Sequence, residues 1–460
     1  MSIDIRDHGA RGQGANDTAA IQAAIDTAHA TGGDLVHFPT GHWCSGTVFL
    51  KSGVHIEVPT GSTWAGLGDL ALYPDIGPDK RSRMDTTPWK AFIYAFDQQD
   101  IGLCGGGTIH PGGEQDAFQD GKGNSPQRPY GIHFVACRDV LVRDLHLRNS
   151  AFWMQRYLAC DGVRLTGLRI WNHCNLNNDG SDIDSCRNVI VSDCRIDSSD
   201  DALCLKSEGA DACENVVVTN CILSSEASAI KFGTASIGGF KRVTISNCVV
   251  RPSASPVITH ALKARHGLMG IDLGNVDGGV MQDITISNIA IEGTETPIFV
   301  KLGDRQSRSD RGGPWDDAPP PRPGRIERVR IDNISATDCG PIASCLVGYP
   351  GYRLRNVRLT RIHIACGMGV DEQPDYEVDT HAKLYPMNRI FNSPLPAYGL
   401  YLRDVDGLEL EDIRLEPAAG DPRPAVVVED ATDVHLQRLQ AGSDANETVV
   451  LRNCERVRRD

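Results

Sequence analysis

Several features are missing from these 460 residues, and each absence removes a class of answer. No stretch comes near the roughly 18 consecutive apolar residues that a membrane-spanning helix needs. No C-x-x-C pair occurs among the fifteen cysteines, which are scattered from Cys44 to Cys454. A structural zinc site wants ligands in tight pairs, so reduced thiols are expected and no metal or cofactor is. The 47 glycines and 25 prolines follow no G-X-Y period, which excludes collagen and leaves many turns. Positive charge is in deficit, with a formal net charge of −14, and nucleic acid is therefore not an expected partner. The opening MSIDIRDHGA lacks the basic stretch followed by an apolar one that marks secretion. The expectation is a soluble protein with no membrane partner, cytoplasmic as given, and secreted or periplasmic if a leader has been removed.

What is present is a repeat. One phrase recurs along most of the chain: an alternating apolar pair, a polar residue, Asn or Asp, and a second apolar pair. It starts at Val140 (VLVRDLHL), Val163, Val189 (VIVSDCRI), Val216, Val243 (VTISNCVV), Ile284, Val329, Val357, Leu408 and Val434. The starts lie 23, 26, 27, 27, 41, 45, 28, 51 and 26 residues apart, a unit of about 26 with three insertions. Each unit reads as one coil whose two period-2 strands flank a polar corner. Stacking coils about 4.8 Å apart pairs every strand with the ones above and below around a continuous apolar interior. The fold expected is all-β, a right-handed parallel β-helix of about ten coils, with residues 1–460 forming one domain. Propeller blades need about 40 residues or more, so the shorter unit disfavours them. Cys194, Cys221 and Cys248 share one register and are expected to form a column of small buried residues.

A solenoid needs its ends closed. Asp17 or Thr18 can cap a helix whose Ile21, Ala24, Ile25 and Ala28 follow helical spacing, which supplies the N-terminal plug. Residues 305–325, with the run PPPRPG, and 367–397 read as inserted loops; the second is expected to wall a groove, and the first either does so or is simply a solvated loop.

The densest chemistry lies between Asn177 and Lys206. Asp179 sits in the turn N-N-D-G, and the pair Asp200 and Asp201 follows 21 and 22 residues later, nearly one coil on. Glycoside hydrolysis with inversion needs an acid for the leaving oxygen and a carboxylate for the water, about 6.5 to 9.5 Å apart. A third carboxylate holds the water and keeps the acid protonated. Asp182 and Asp184 alternate with the strand and read as turn and surface residues. Lys206 and Lys231, 25 residues apart, either meet substrate or are outward lysines on turns.

These residues resemble the polygalacturonase family, glycoside hydrolase family 28, whose signature contains N-T-D, G-D-D, G-H-G and R-I-K. The blocks N-N-D-G and S-D-D-A-L-C-L-K match the first two, and the likeness extends over most of the chain, including GARGQGANDTAAIQAAID. The resemblance implies a right-handed β-helix hydrolase with Asp200 as general acid, Asp179 and Asp201 activating water, and Asn177 in the first block. Where the family has the His of G-H-G, ASAIKFGT places Ser228, one coil beyond Asp201. No R-I-K follows, and Arg265 and His266 are the nearest basic residues. The segment with Tyr385, Pro386 and Tyr398 resembles bacterial members and is expected to shape one end of the groove. If it blocks that end, cleavage is from the chain end. The implied substrate is a pectin-type polysaccharide or oligosaccharide. Two other readings share the scaffold: a polysaccharide lyase or epimerase, and a non-catalytic carbohydrate-binding β-helix.

Overall fold

The computed structural model describes residues 2–76, 90–119, 127–255, 267–305, 323–380, 387–391, 394–442 and 447–460. Arg265, His266, Tyr385, Pro386 and most of the 305–325 loop lie outside them.

Every strand pairing between coils is parallel, and the chain winds as a β-helix, right-handed as parallel crossovers are. Each coil contributes to three sheets. The repeated phrase supplies the first two. Its leading valines Val140, Val163, Val189, Val216 and Val243 stand in register, each at most 1% exposed, so β-branched side chains stack into a column. The polar corner turns the chain from the first sheet to the second through a left-handed residue: Asp193, Asn220, Asn247, Asn288 and Asn333 all have φ between 52° and 57°. Asn and Asp tolerate that conformation because their short polar side chains bond locally. Here they bond to one another across coils, with Asn333 donating to Asn288 at 2.8 Å and Asn288 to Asn247 at 3.1 Å.

All ten phrases begin in the first sheet. The strands Asp34–His37, Val54–Val58 and Gln99–Gly105 precede them and Glu455–Arg459 follows, so the stack is longer than the phrase alone implies. The helix Thr18–Ala30 buries Ile21, Ala24, Ile25 and Ala28 over the first coils, as its spacing predicts. Asp17 precedes it but does not cap it with its side chain, which accepts from the amides of Arg11 and Gly12 instead. Cys194, Cys221 and Cys248 form the expected buried column.

The third sheet completes each coil and carries the chemistry. Its strands Gln155–Leu158, Ser181–Asp184, Leu203–Ser207, Ser228–Ser236 and Gly267–Asn275 stack in that order. Farther along, the described part of the 367–397 insertion lies on this sheet's outer face. Val378, Phe391 and Leu395 form a second apolar cluster there with Met269, Phe299 and Tyr401. Lys301 pins the insertion through the carbonyl of Thr380, and Asn388 does so through that of Leu268.

Candidate active site

Asp179, Asp200 and Asp201 come from two successive turns between the second and third sheets, as their spacing predicts. One carboxylate oxygen from each lies within 4.8 Å of the others. This is closer than the 6.5 to 9.5 Å expected from spacing alone, because all three point to one spot instead of facing each other across a gap. Such a set of hard oxygen donors could also hold a divalent cation.

The turns are tightly positioned. The amide of Asp201 donates to Oδ1 of Asp200 at 2.9 Å, and the backbone carbonyl of Asp200 accepts from Ser198 Oγ at 2.8 Å and Ser225 Oγ at 2.6 Å. Ser228 sits one coil beyond Asp201 as expected, and its amide donates to Asp201 Oδ1 at 3.2 Å. The Ser228 hydroxyl, however, turns to Asp272 at 3.2 Å. Asp179 and Asp201 are buried while Asp200 is partly exposed. Burial first, then the charges of Asp182, Asp200 and Asp201, pushes the Asp179 carboxyl well above the usual carboxylate range.

Asp182 and Asp184, expected on the surface, are fully buried. They do face outward from the coil, but the outer face of the third sheet is itself the floor of the site. In register across the coils run Arg156, Asp182, Cys204, Lys231 and Asp272, with Asp184 beside Lys206. Lys206 and Lys231 are buried members of this floor. Lys206 Nζ lies 3.2 Å from Asp182 and 3.7 Å from Asp179, under the ring of Trp153 at 4.5 Å. Lys231 is ion-paired to Asp272. Arg156 bridges Asp184 at 2.9 Å and Glu208 at 2.7 Å.

Phe152 and Trp153, stacked at 5.2 Å and half-buried, wall the site. Neither they nor Arg128 were among the residues singled out from the sequence. The signal was available: Trp153 stands 26 residues, one coil, before Asp179. Arg128 donates to Oδ1 of Asn177 at 3.0 Å, so Asn177 serves to shape the turn. Tyr398 is displaced from its expected role. It is 1% exposed in the coil interior, and its hydroxyl is held by the carbonyls of Leu415 and Gly442, leaving no face for a sugar.

Burial, opposed by Lys206, pushes the Asp182 carboxyl from 3.8 to about 7. A raised carboxyl favours the folded state most below its unfolded value, and that contribution fades as pH climbs through the folded one. Between about pH 4 and pH 7 the wild type is thus expected to lose more thermal stability than Asp182→Asn. Parallel melting curves for the two proteins would refute the assignment.

The family model for glycosyl hydrolases family 28 matches residues 50–303, more than half of the chain. The chain belongs to glycosyl hydrolases family 28. A Vitis vinifera protein named "Probable polygalacturonase" is 27% identical to this family 28 chain over 218 residues, 45% of this chain and 44% of its own length. A mannuronan C5-epimerase of Azotobacter vinelandii is 41% identical over 81 residues, 16% of this chain and 5% of the relative. The chain thus spans less than half the length of these curated relatives. Among solved structures, a Yersinia enterocolitica family 28 exopolygalacturonase is similar with a TM-score of 0.67 at 15% identity, covering 99% of this chain and 78% of that one. That likeness is one of fold.

Proposed function

We propose that this chain hydrolyses glycosidic bonds of a pectin-type polysaccharide or oligosaccharide by single displacement with inversion. The observation that carries the proposal is the convergence of Asp179, Asp200 and Asp201 on one spot beside an aromatic wall. Asp200, the partly exposed member, gives its proton to the leaving oxygen as the bond to the anomeric carbon breaks. A water held by Asp179 and Asp201 forms the new bond to that carbon and passes its proton to the pair. Inversion is supported by family membership rather than by carboxylate spacing. Lys206 and Lys231 are each already matched by a carboxylate, so they orient the floor and offer hydrogen bonds to sugar hydroxyls rather than surplus charge.

The insertion packed on Met269 and Phe299 covers the third sheet just past the strand bearing Asp272. This supports cleavage from a chain end, because a groove walled there holds few sugars on that side.

The epimerase relative and the cation-sized carboxylate set favour one alternative, proton abstraction beside a uronate. Incubation with oligogalacturonates separates the two. Hydrolysis releases reducing ends as monomer or dimer, with inverted anomers by NMR and no effect of a chelator. An unsaturated product absorbing in the ultraviolet, or turnover abolished by the chelator, would replace hydrolysis with the alternative.

A further inference from the structure

Around the corner from the carboxylates, the outer face of the second sheet holds a cleft of about 310 Å³. Two columns of side chains build it. His146, Arg169 and Arg195 stack in one register, and Arg148, Trp171 and Asp197 in the next. Coils rise by about 4.8 Å, and three arginines line the cleft together with one half-buried indole.

The arginines here lack the partners that several outward arginines have on the first sheet. Arg187 pairs with Asp161 at 2.9 Å, Arg328 with Asp283 at 2.7 Å, and Arg456 with Asp433 at 2.6 Å, each one coil away. The side chains of Arg148, Arg169 and Arg195 make no ion pair or hydrogen bond among the described residues. The carboxylate that lines the cleft with them, Asp197, is committed elsewhere. It accepts from Ser253 Oγ at 2.6 Å and the amide of Ala254 at 2.9 Å, and it meets His173 Nε2 at 2.8 Å. His146 registers the unbalanced charge: partial burial and then Arg169 and Arg148 hold its imidazole below the usual histidine range. In a chain of net charge −14, positive groups gathered at a cleft without counter-ions of their own await an anion.

We propose that this cleft is a second saccharide site, separate from the carboxylate cluster, which binds a uronate-bearing oligosaccharide. The Trp171 ring stacks on a pyranose face, and Arg169 and Arg195 fork onto its carboxylate. Planar guanidinium groups suit a planar carboxylate, and the indole gives a sugar what a bare phosphate would not use. The choice of a uronate rests on the pectin-type reading of the substrate, whereas the site itself needs no catalysis. Its role is to hold the polymer beside the groove and raise local substrate concentration.

The test uses full-length Asp200→Asn, so that binding is read without turnover, titrated calorimetrically with a galacturonate trimer. Two sites per chain are expected. One of them weakens at least about tenfold when Arg169→Gln and Arg195→Gln are added, and it weakens with salt. Both arginines are exposed, so folding is not at stake. In the otherwise wild-type enzyme the double substitution leaves trimer hydrolysis unchanged. An unaltered titration would overturn the proposal. So would equal binding of a galactose trimer, which lacks carboxylates, or trimer hydrolysis that falls in parallel with binding. A six-nucleotide single strand that binds this site more tightly than the trimer would assign it to nucleic acid instead.

Discussion

Asp200→Asn is expected to lower kcat by about two to four orders of magnitude while leaving KM within a few-fold, because an amide cannot hand a proton to the leaving oxygen. The geometry makes this a clean substitution. Oδ1 of Asp200 accepts from the amide of Asp201, an interaction the Asn carbonyl can keep, and two serine hydroxyls hold the backbone of the turn. What is lost is the proton itself. An aryl glycoside with a good leaving group needs no such proton, so its turnover should recover most of the deficit in Asp200→Asn. Asp201→Asn removes charge from the water-holding pair, and the same leaving group should not rescue it. A rate in Asp200→Asn close to wild type on oligogalacturonate would end the acid assignment, whereas rescue of Asp201→Asn and not of Asp200→Asn would exchange the roles.

The way these aspartates were found shows what the sequence makes legible. The repeated phrase belongs to the first two sheets, where one face of each strand meets solvent and the alternation of apolar and polar residues is plain. The third sheet has no such phrase. In Ser181–Asp184 all four residues are buried, with Ile183 facing the coil interior and Asp182 and Asp184 facing a floor covered by charged and aromatic neighbours. Outward there does not mean exposed, and a rule linking charge to surface misplaces both carboxylates. The aspartate turns are more legible than their supports, since N-N-D-G and S-D-D stand just outside the strands. Tyr398 failed for the converse reason. Its proline-rich surroundings read as a loop, yet its ring is part of the buried core and its hydroxyl reaches carbonyls at Leu415 and Gly442. Only the stacking of coils brings those distant residues together.

Removing Arg156 is expected to be the most damaging single change to the fold near the site. Its guanidinium is 1% exposed and lies between Asp184, which is fully buried, and Glu208, and it also donates to the hydroxyl of Tyr130 at 3.0 Å. Burial and then the charge of Glu208 oppose ionising Asp184 and raise its carboxyl, with Arg156 the main opposing influence. Arg156→Met fills much of the same space but leaves two carboxyl groups facing each other without a cation. Breaking a buried pair in this way costs about 3 to 5 kcal/mol, which should appear as a lower urea midpoint. The sign of the pH dependence tests the cause. Without Arg156 the Asp184 carboxyl rises further above its unfolded value, so the variant's deficit should shrink as the medium becomes acid and grow toward neutral pH. Adding Asp184→Asn and Glu208→Gln removes the repulsion and should restore most of the loss, an interaction that a double-mutant cycle measures directly. A deficit independent of pH and untouched by the added substitutions would mean that Arg156 contributes through packing against Tyr130 and Trp153 instead of through charge.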